Sequence, residues 1–243
     1  MILRRRKPAP VVSLWAAVGP DDLQTLARTG WSAWPQRDAH DLAVEAFEVR
    51  DEAVHVVRDE LVRDHGEGSL VVFDVPPSVT GWPGVERHGR RLLIPKGRRL
   101  TKAVVGDVTE EAQYRSGVEQ AEVDAVRDHF GELVPDGWRA MVTAPSWLRR
   151  GWMTSGAYVD LHPPVDAVRA TQVWHRDMVY HPGALVIGSD GGDRLLAIDL
   201  REGDPPVVLL DRSSTGWDDA VVQSPGVHHF AERLEHGDFA YTR

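Results

Sequence analysis

The stretch ALVIGSDGGDRLLAIDL, residues 184–200, places a glycine-rich loop between two apolar segments. The loop lacks the Gly-Lys-Ser/Thr ending of a phosphate-binding loop, and the DRLLAIDL that follows alternates as a strand does. Asp190 and Asp193 have neither the spacing nor the distal glutamate of a calcium loop. The stretch therefore predicts an antiparallel β-hairpin, in which glycines adopt positive φ and the two aspartates bond to turn amides.

Short strand-like segments surround this hairpin. A capping box at residues 116–119 predicts a helix before them, and Ser224-Pro225 predicts the start of a helix after them. Strands are predicted around residues 141–143, 156–161, 184–187, 194–200 and 207–210. The predicted fold class of residues 116–243 is α+β, a mainly antiparallel sheet flanked by an opening and a terminal helix.

Residues 1–115 have their own alternation of elements and are predicted to form a separate α+β domain. Val11–Val18 is predicted to be a strand; the basic residues before it imitate a signal peptide, but Pro8 and Pro10 interrupt the apolar run. A helix opening at Pro20, a helix over 51–65 and strands over 69–77 and 90–95 follow. The second domain then begins at Ser116.

The charge of the 243 residues is distributed unevenly. Residues 1–116 carry 17 acidic and 17 basic side chains, whereas residues 117–243 carry 20 acidic and 11 basic ones, so the net charge of −9 belongs to the second half. An acidic surface favours basic protein partners and disfavours nucleic acid. The chain has no cysteine and no apolar run long enough to span a bilayer, which favours a cytoplasmic protein without a membrane partner.

No pattern of residues predicts catalysis or a bound cofactor. HRDMVYH, residues 175–181, resembles a kinase catalytic loop but lacks its asparagine and the other kinase motifs. His175, Asp177 and His181 have no spacing known for a metal site, so a loop is the preferred interpretation and no metal is expected. Ser189 and Ser224 lack the surroundings of an activated nucleophile, which excludes a serine hydrolase.

The order of motifs in residues 116–237 resembles the SUKH superfamily of Smi/Knr-type domains. The residues that carry it are the opening helix VEQAEVDAVRDHFG, LVPDGWRAMV, the hairpin LVIGSDGGDRLLAIDL and the terminal STGWDDAVVQSPGVHHFAERLEHG. The resemblance implies an α+β fold and a non-catalytic, protein-binding role. Many bacterial members are immunity proteins that neutralise a cognate toxin, often a nuclease, and eukaryotic relatives are regulatory scaffolds.

We therefore expect an immunity protein that binds a cognate toxin directly, with a basic nuclease as one candidate partner and a regulatory scaffold as an alternative. Tryptophan is enriched at binding hot spots, although it also fills cores, which is the predicted place of Trp138 and Trp174. The candidate partner-binding residues combine tryptophans with charged neighbours: Trp147, Arg149, Arg150, Trp152, Asp190, Asp193, Trp217, Asp218 and Asp219.

The first half faintly resembles small ADP-ribosyltransferase-like domains of bacterial toxin systems. Such domains need a late glutamate, and Glu110 and Glu111 lie late in this half. An enzyme that handles ADP-ribose or NAD through this domain is thus the alternative function, and an inactive domain that shapes the partner site is preferred. A basic patch at residues 87–102 is expected either to be solvated or to pair with the acidic second domain.

Overall fold

The computed structural model describes residues 10–31, 34, 43–96, 104–131, 134–177, 180–201, 203 and 205–242. The chain divides into two compact units, Met1–Glu111 and Ala112–Arg243. The division falls inside strand β6 (Val105–Arg115), whereas the sequence predicts the second domain to begin just after that strand. Within the described ranges, no helix has the length and apolar character needed to cross a membrane.

The described part of the first unit is built from strands, two longer helices and a short 3-10 helix, Pro77–Gly81. Its strands lie in the order β6-β3-β1-β2-β5-β4, with β6 contributing its first part. The bounds are β1 (Val12–Val18), α1 (Pro20–Arg28), β2 (Ala43–Phe47), a helix α2 over residues 50–65, β3 (Glu67–Val75), β4 (Glu86–His88) and β5 (Arg91–Pro95).

Alternation along β1 builds the core of this unit. Leu14, Ala16 and Val18 are buried, and Leu14 lies opposite Phe73 of the antiparallel neighbour β3. The predicted helix over 51–65 is confirmed and ends at Gly66, whose φ of 75° is the left-handed conformation of a helix C-terminus. Its middle turn, Val57–Leu61, is π-helical. The predicted strands of this half are also confirmed.

The described part of the second unit has four α-helices and a sheet in the order β12-β11-β10-β9-β8-β7-β6, to which β6 contributes its last part. Registers resolved between its neighbouring strands are antiparallel. The bounds are α3 (Gln120–Phe130), α4 (Asp136–Thr143), β7 (Trp147–Trp152), β8 (Tyr158–Leu161), α5 (Pro164–Asp177), β9 (Ala184–Ser189), β10 (Arg194–Asp199), β11 (Val207–Asp211), β12 (Val221–Ser224) and α6 (Val227–Glu235).

Strands β9 and β10 are buried on both faces, because residues 184–188 and 195–199 are buried in unbroken runs. Helix α5 is tied to β9 by Thr171. The Thr171 hydroxyl accepts the N–H of Val186 at 2.8 Å and donates to the carbonyl of Ala167 at 2.8 Å. The predicted α+β class is confirmed, with an antiparallel sheet and helices as its elements.

Several local predictions in the second unit are wrong. Residues 141–143 lie in helix α4 instead of a strand, since Trp138 and Val142 recur at helical spacing and are fully buried. The terminal helix begins at Val227 instead of Ser224, which lies in β12. Strand β7, strand β12 and helix α5 are absent from the predicted elements.

The capping box at residues 116–119 does not form. Helix α3 begins at Gln120, and its first turn has no side-chain cap. The N–H of Val118 instead donates to the carbonyl of Val142 at 2.9 Å, at the end of α4. A Cβ at Gly117 would lie 2.6 Å from the carbonyl oxygens of Thr143 and Ala144, so this close approach requires glycine. Tertiary contact thus overrides the local capping signal.

Candidate functional site

The loop between β9 and β10 is a hairpin turn, as the sequence predicts. Gly191 has a φ of 78°, and β10 begins at Arg194 without an intervening helix. The Asp190 carboxylate accepts the N–H groups of Gly192 at 2.9 Å and Arg194 at 3.2 Å. The sequence predicts that Asp193 bonds to a turn amide through its side chain. The structure instead shows its backbone carbonyl accepting the N–H of Arg212 at 3.2 Å, which connects the turn to the residue that follows β11.

An aromatic pair borders this turn. Trp152, with 47% of its surface exposed, packs against Tyr158 with ring centroids 5.0 Å apart and the ring planes tilted by 58°. The backbone of Gly191 approaches the same tyrosine so closely that a Cβ there would lie 2.5 Å from the ring. Tyr158 thereby connects Trp152 to the turn that carries Asp190 and Asp193, which are three residues predicted from the sequence. We call them, with Tyr158, the hairpin surface.

A second aromatic group contains Trp217. The ring of His181, which is fully buried, stacks on Trp174 at 4.6 Å and meets the edge of Trp217 at 5.4 Å. The guanidinium of Arg201 lies over the ring of Trp217, 4.0 Å from its centroid. The same guanidinium pairs with Asp199 at 2.7 Å. Trp217 therefore supports the packing of this group, and its neighbour Asp218 is exposed.

Hydrogen bonds hold the turn that carries Asp218 and Asp219. Nε2 of His181 lies 2.9 Å from the carbonyl of Gly216 and 3.1 Å from the hydroxyl of Ser214. A carbonyl only accepts, so the imidazole carries its proton on Nε2. Ser214 lies 3.2 Å from Asp219. The carboxylate contacts the serine instead of the imidazole, which is not the arrangement of a catalytic triad.

The remaining candidates near β7 lie in different environments. Trp147 is buried, and its indole N–H donates to the carbonyl of Ser116 at 3.0 Å, so its side chain belongs to the core instead of a partner surface. Arg150 is half-buried in the register position opposite Asp160. Arg149 pairs with Asp160 and with the carbonyl of Leu161, and it lines a pocket.

This pocket has a volume of about 530 Å³, within the range typical of ligand sites. We call it the arginine pocket, after the guanidinium groups at its rim. Its ionisable lining residues come from three places: β7, α5 with the loop before it, and the turn after β11. They are Arg149, His162, Asp166, Arg169 and Arg212.

The rest of the pocket wall is apolar. Val186 and Leu195 come from the sheet and are buried, while α5 presents its side chains along one face. Those apolar residues of α5 are Ala170, Val173 and Trp174. Sequence reasoning missed the pocket because it missed α5. The available signal was the helical recurrence of residues 166, 169, 170, 173 and 174.

Within the described ranges, ion pairs involve two of the three arginines that line the pocket. Asp166 lies 3.3 Å from Arg169, and Asp160 takes Arg149. Among the residues that the structure describes, Arg212 has no ion-pair partner. It is the group that offers a free guanidinium fork to an anion.

The imidazole of His162 is the group in the pocket whose pKa is shifted by its surroundings. Burial lowers its pKa below the ordinary value, and the guanidinium of Arg149 lowers the pKa further. The carboxylates of Asp160 and Asp166 raise it, and Arg212 adds a weaker lowering. His162 is therefore neutral at pH 7 and presents one N–H donor and one acceptor nitrogen.

The two glutamates singled out in the first unit are consecutive in β6 and have different partners. Glu111 accepts the indole N–H of Trp15 at 2.7 Å and pairs with Arg50, and Glu110 accepts the hydroxyl of Ser69 at 2.9 Å. Successive strand residues point to opposite faces, so the two carboxylates do not form one acidic pair.

Part of the basic patch at residues 87–102 is neutralised inside the first unit. Arg87 pairs with Glu48 at 2.6 Å, and Arg91 pairs with Glu45. Arg98, Arg99 and Lys102 lie outside the described residues.

The HRDMVYH segment is partly helical instead of a loop, because α5 continues to Asp177. The side chains of His175 and Asp177 are not among those described. The ring of His181 is buried against Trp174. In the described part of the chain, no three histidine, aspartate or glutamate side chains are grouped so that they could hold a metal ion.

No protein-family model matches the chain, and no curated protein is significantly similar to it. The hairpin surface and the arginine pocket are the candidate functional sites of the second unit. The first offers an exposed aromatic ring next to an acidic turn, and the second offers a concave apolar wall with an arginine, Arg212, that no described carboxylate pairs with.

Proposed function

We propose that the second unit is a non-catalytic protein-binding module, and that the chain acts in the cytoplasm as a SUKH-type immunity protein against a cognate toxin. The single observation that carries the proposal is the hairpin surface, where the exposed Trp152 and the turn that carries Asp190 and Asp193 both adjoin Tyr158. An exposed tryptophan that packs against a second ring is pre-ordered, so little side-chain entropy is lost when a partner covers it.

Charge supports a basic partner. Residues 117–243 carry the whole net charge of −9, and Asp190 and Asp193 belong to the turn whose Gly191 approaches the ring of Tyr158. Complementary charge accelerates encounter and selects among partners, while the buried aromatic ring supplies the larger share of affinity. A nuclease toxin has a basic substrate groove, and an acidic, tryptophan-bearing surface suits its occlusion.

The test is co-expression with the product of the adjacent open reading frame. We expect growth to be rescued and the two proteins to co-purify. Trp152→Ala should weaken the complex about tenfold or more, because truncating a central aromatic anchor removes a large apolar contact. Asp193→Asn should mainly slow association and reduce its dependence on salt.

Tyr180→Ala is the matched control, since Tyr180 is an aromatic residue of the same unit with 49% exposure that lies outside the hairpin surface. It should leave rescue and affinity unchanged. Trp217 is a poor test residue, because its loss would disturb the His181 stack as well as any interface. Absence of both rescue and complex would refute the proposal. NAD turnover that depends on Glu110 or Glu111 would instead favour the enzyme alternative.

A further inference from the structure

The arginine pocket is distinct from the hairpin surface in residues and in chemistry. Its wall is apolar, and its rim carries three arginines inside a unit that is otherwise strongly acidic. Guanidinium groups that served only solubility would not need an apolar cavity beneath them. The combination is that of a site for a small anionic group attached to an apolar body.

The ion pairs specify how much negative charge the pocket accepts. Asp160 compensates Arg149, and Asp166 compensates Arg169, so that Arg212 is the pocket arginine without an ion-pair partner among the described residues. His162 faces the same space, is neutral at pH 7 and donates one N–H. One planar guanidinium and one neutral donor match a single carboxylate, which arginine binds through two parallel hydrogen bonds. A phosphate dianion would demand more uncompensated cation than the pocket provides.

The wall specifies what the carboxylate is attached to. Val173 has 59% of its surface exposed, and it lies with the half-buried Trp174 on the helix wall of the pocket. Val186 and Leu195 contribute sheet side chains to the same cavity. Covering an exposed valine and a tryptophan face with an apolar group removes both from water.

We propose that the arginine pocket binds an organic carboxylate with an apolar or aromatic body, its carboxylate on Arg212 and its body against the α5 wall. Two sources present this chemistry: a free small acid, and the carboxyl terminus of a peptide that ends in an apolar residue. This inference does not rest on the proposed immunity function, because it involves none of the hairpin-surface residues.

The experiment is calorimetric titration of the full chain with 3-phenylpropionate and with its neutral isostere 3-phenylpropanamide. We expect the acid to bind and the amide to bind about tenfold more weakly or worse, since the amide cannot accept a charge-assisted hydrogen bond pair from Arg212. Arg212→Met should reduce acid binding by about the same factor without unfolding the chain. Arg139→Met removes an arginine of the same unit that lies outside this pocket, and it should change nothing.

A second arm distinguishes the two sources. A hexapeptide ending in phenylalanine is compared as the free carboxylate and as the C-terminal amide. Tighter binding of the free peptide than of the small acid assigns the pocket to a chain terminus, and the reverse order assigns it to a small molecule; both results support the proposal. Equal binding of acids and amides, or no binding of any probe at about 10 mM, overturns it.

Discussion

The hairpin surface and the Trp174–His181–Trp217 stack are both tryptophan groups in the second unit, yet they have opposite characters. In the first, Trp152 rests on one ring and leaves 47% of its surface to solvent. In the second, the rings of Trp174 and Trp217 pack on the fully buried His181, and the guanidinium of Arg201 lies over the ring of Trp217. The difference shows that a tryptophan next to charges is a surface anchor only when the fold leaves one of its faces uncovered.

This comparison predicts that His181→Ala lowers the free energy of unfolding more than any other variant considered below. The substitution empties the space between two indole rings and removes the donor to the carbonyl of Gly216. The free energy of unfolding should fall by about 3 kcal/mol, as for other buried aromatic truncations. Urea denaturation measures it.

His228→Ala is the control for that variant, because His228 is exposed on α6. Its effect should stay within about 0.5 kcal/mol. If His181→Ala were equally mild, the stack would not be a structural core, and Trp217 would return as a candidate binding residue.

Gly191→Ala should have the next largest effect and tests the hairpin surface. The new Cβ would adopt a strained φ of 78° and lie 2.5 Å from the ring of Tyr158. We expect a loss of about 2 kcal/mol in unfolding free energy and a displaced Trp152, visible as a change in near-UV circular dichroism.

Gly192→Ala provides the matched control for this variant. Gly192 has no positive φ, and its nearest neighbour is the flexible carboxylate of Asp190 at 3.3 Å. If Gly192→Ala destabilised the protein as much as Gly191→Ala, the turn would need glycine for its backbone conformation in general, and the contact of Gly191 with Tyr158 would not be the cause.

The smallest effect concerns the pH dependence contributed by His162, whose pKa is lowered by burial and then by Arg149. Because the unfolded chain binds this proton more readily, the stabilisation is complete above about pH 6.5 and is lost as the pH falls through the folded-state pKa. His162→Asn should flatten the slope of unfolding free energy between about pH 7 and pH 5. An unchanged slope in urea titrations would contradict the burial of this imidazole.

Much of the architecture could be predicted from the sequence, because its signals are local. The hairpin at residues 184–200 follows from alternation and glycine, and the helix over 51–65 follows from its apolar stripe and Gly66. The capping box at 116–119 failed for an equally physical reason: Gly117 lets the chain approach the end of α4, whose carbonyl then claims the N–H of Val118.

The candidate sites were less predictable than the fold. Trp152, Asp190 and Asp193 were predicted from the sequence. That their turn and Trp152 belong to one surface follows only from the contacts that Gly191 and Trp152 make with Tyr158. The arginine pocket collects residues from strand, helix and turn, and a missed helix hides most of its wall.

The sequence by itself determined the α+β class, the hairpin and the acidic character of the second half, since alternation, turn chemistry and charge are properties of neighbouring residues. Only the tertiary structure decided that Trp147 is core, that Trp152 is exposed and that Arg212 pairs with none of the described carboxylates. Burial and pairing depend on which distant side chains arrive at the same place, and packing of the whole unit determines that.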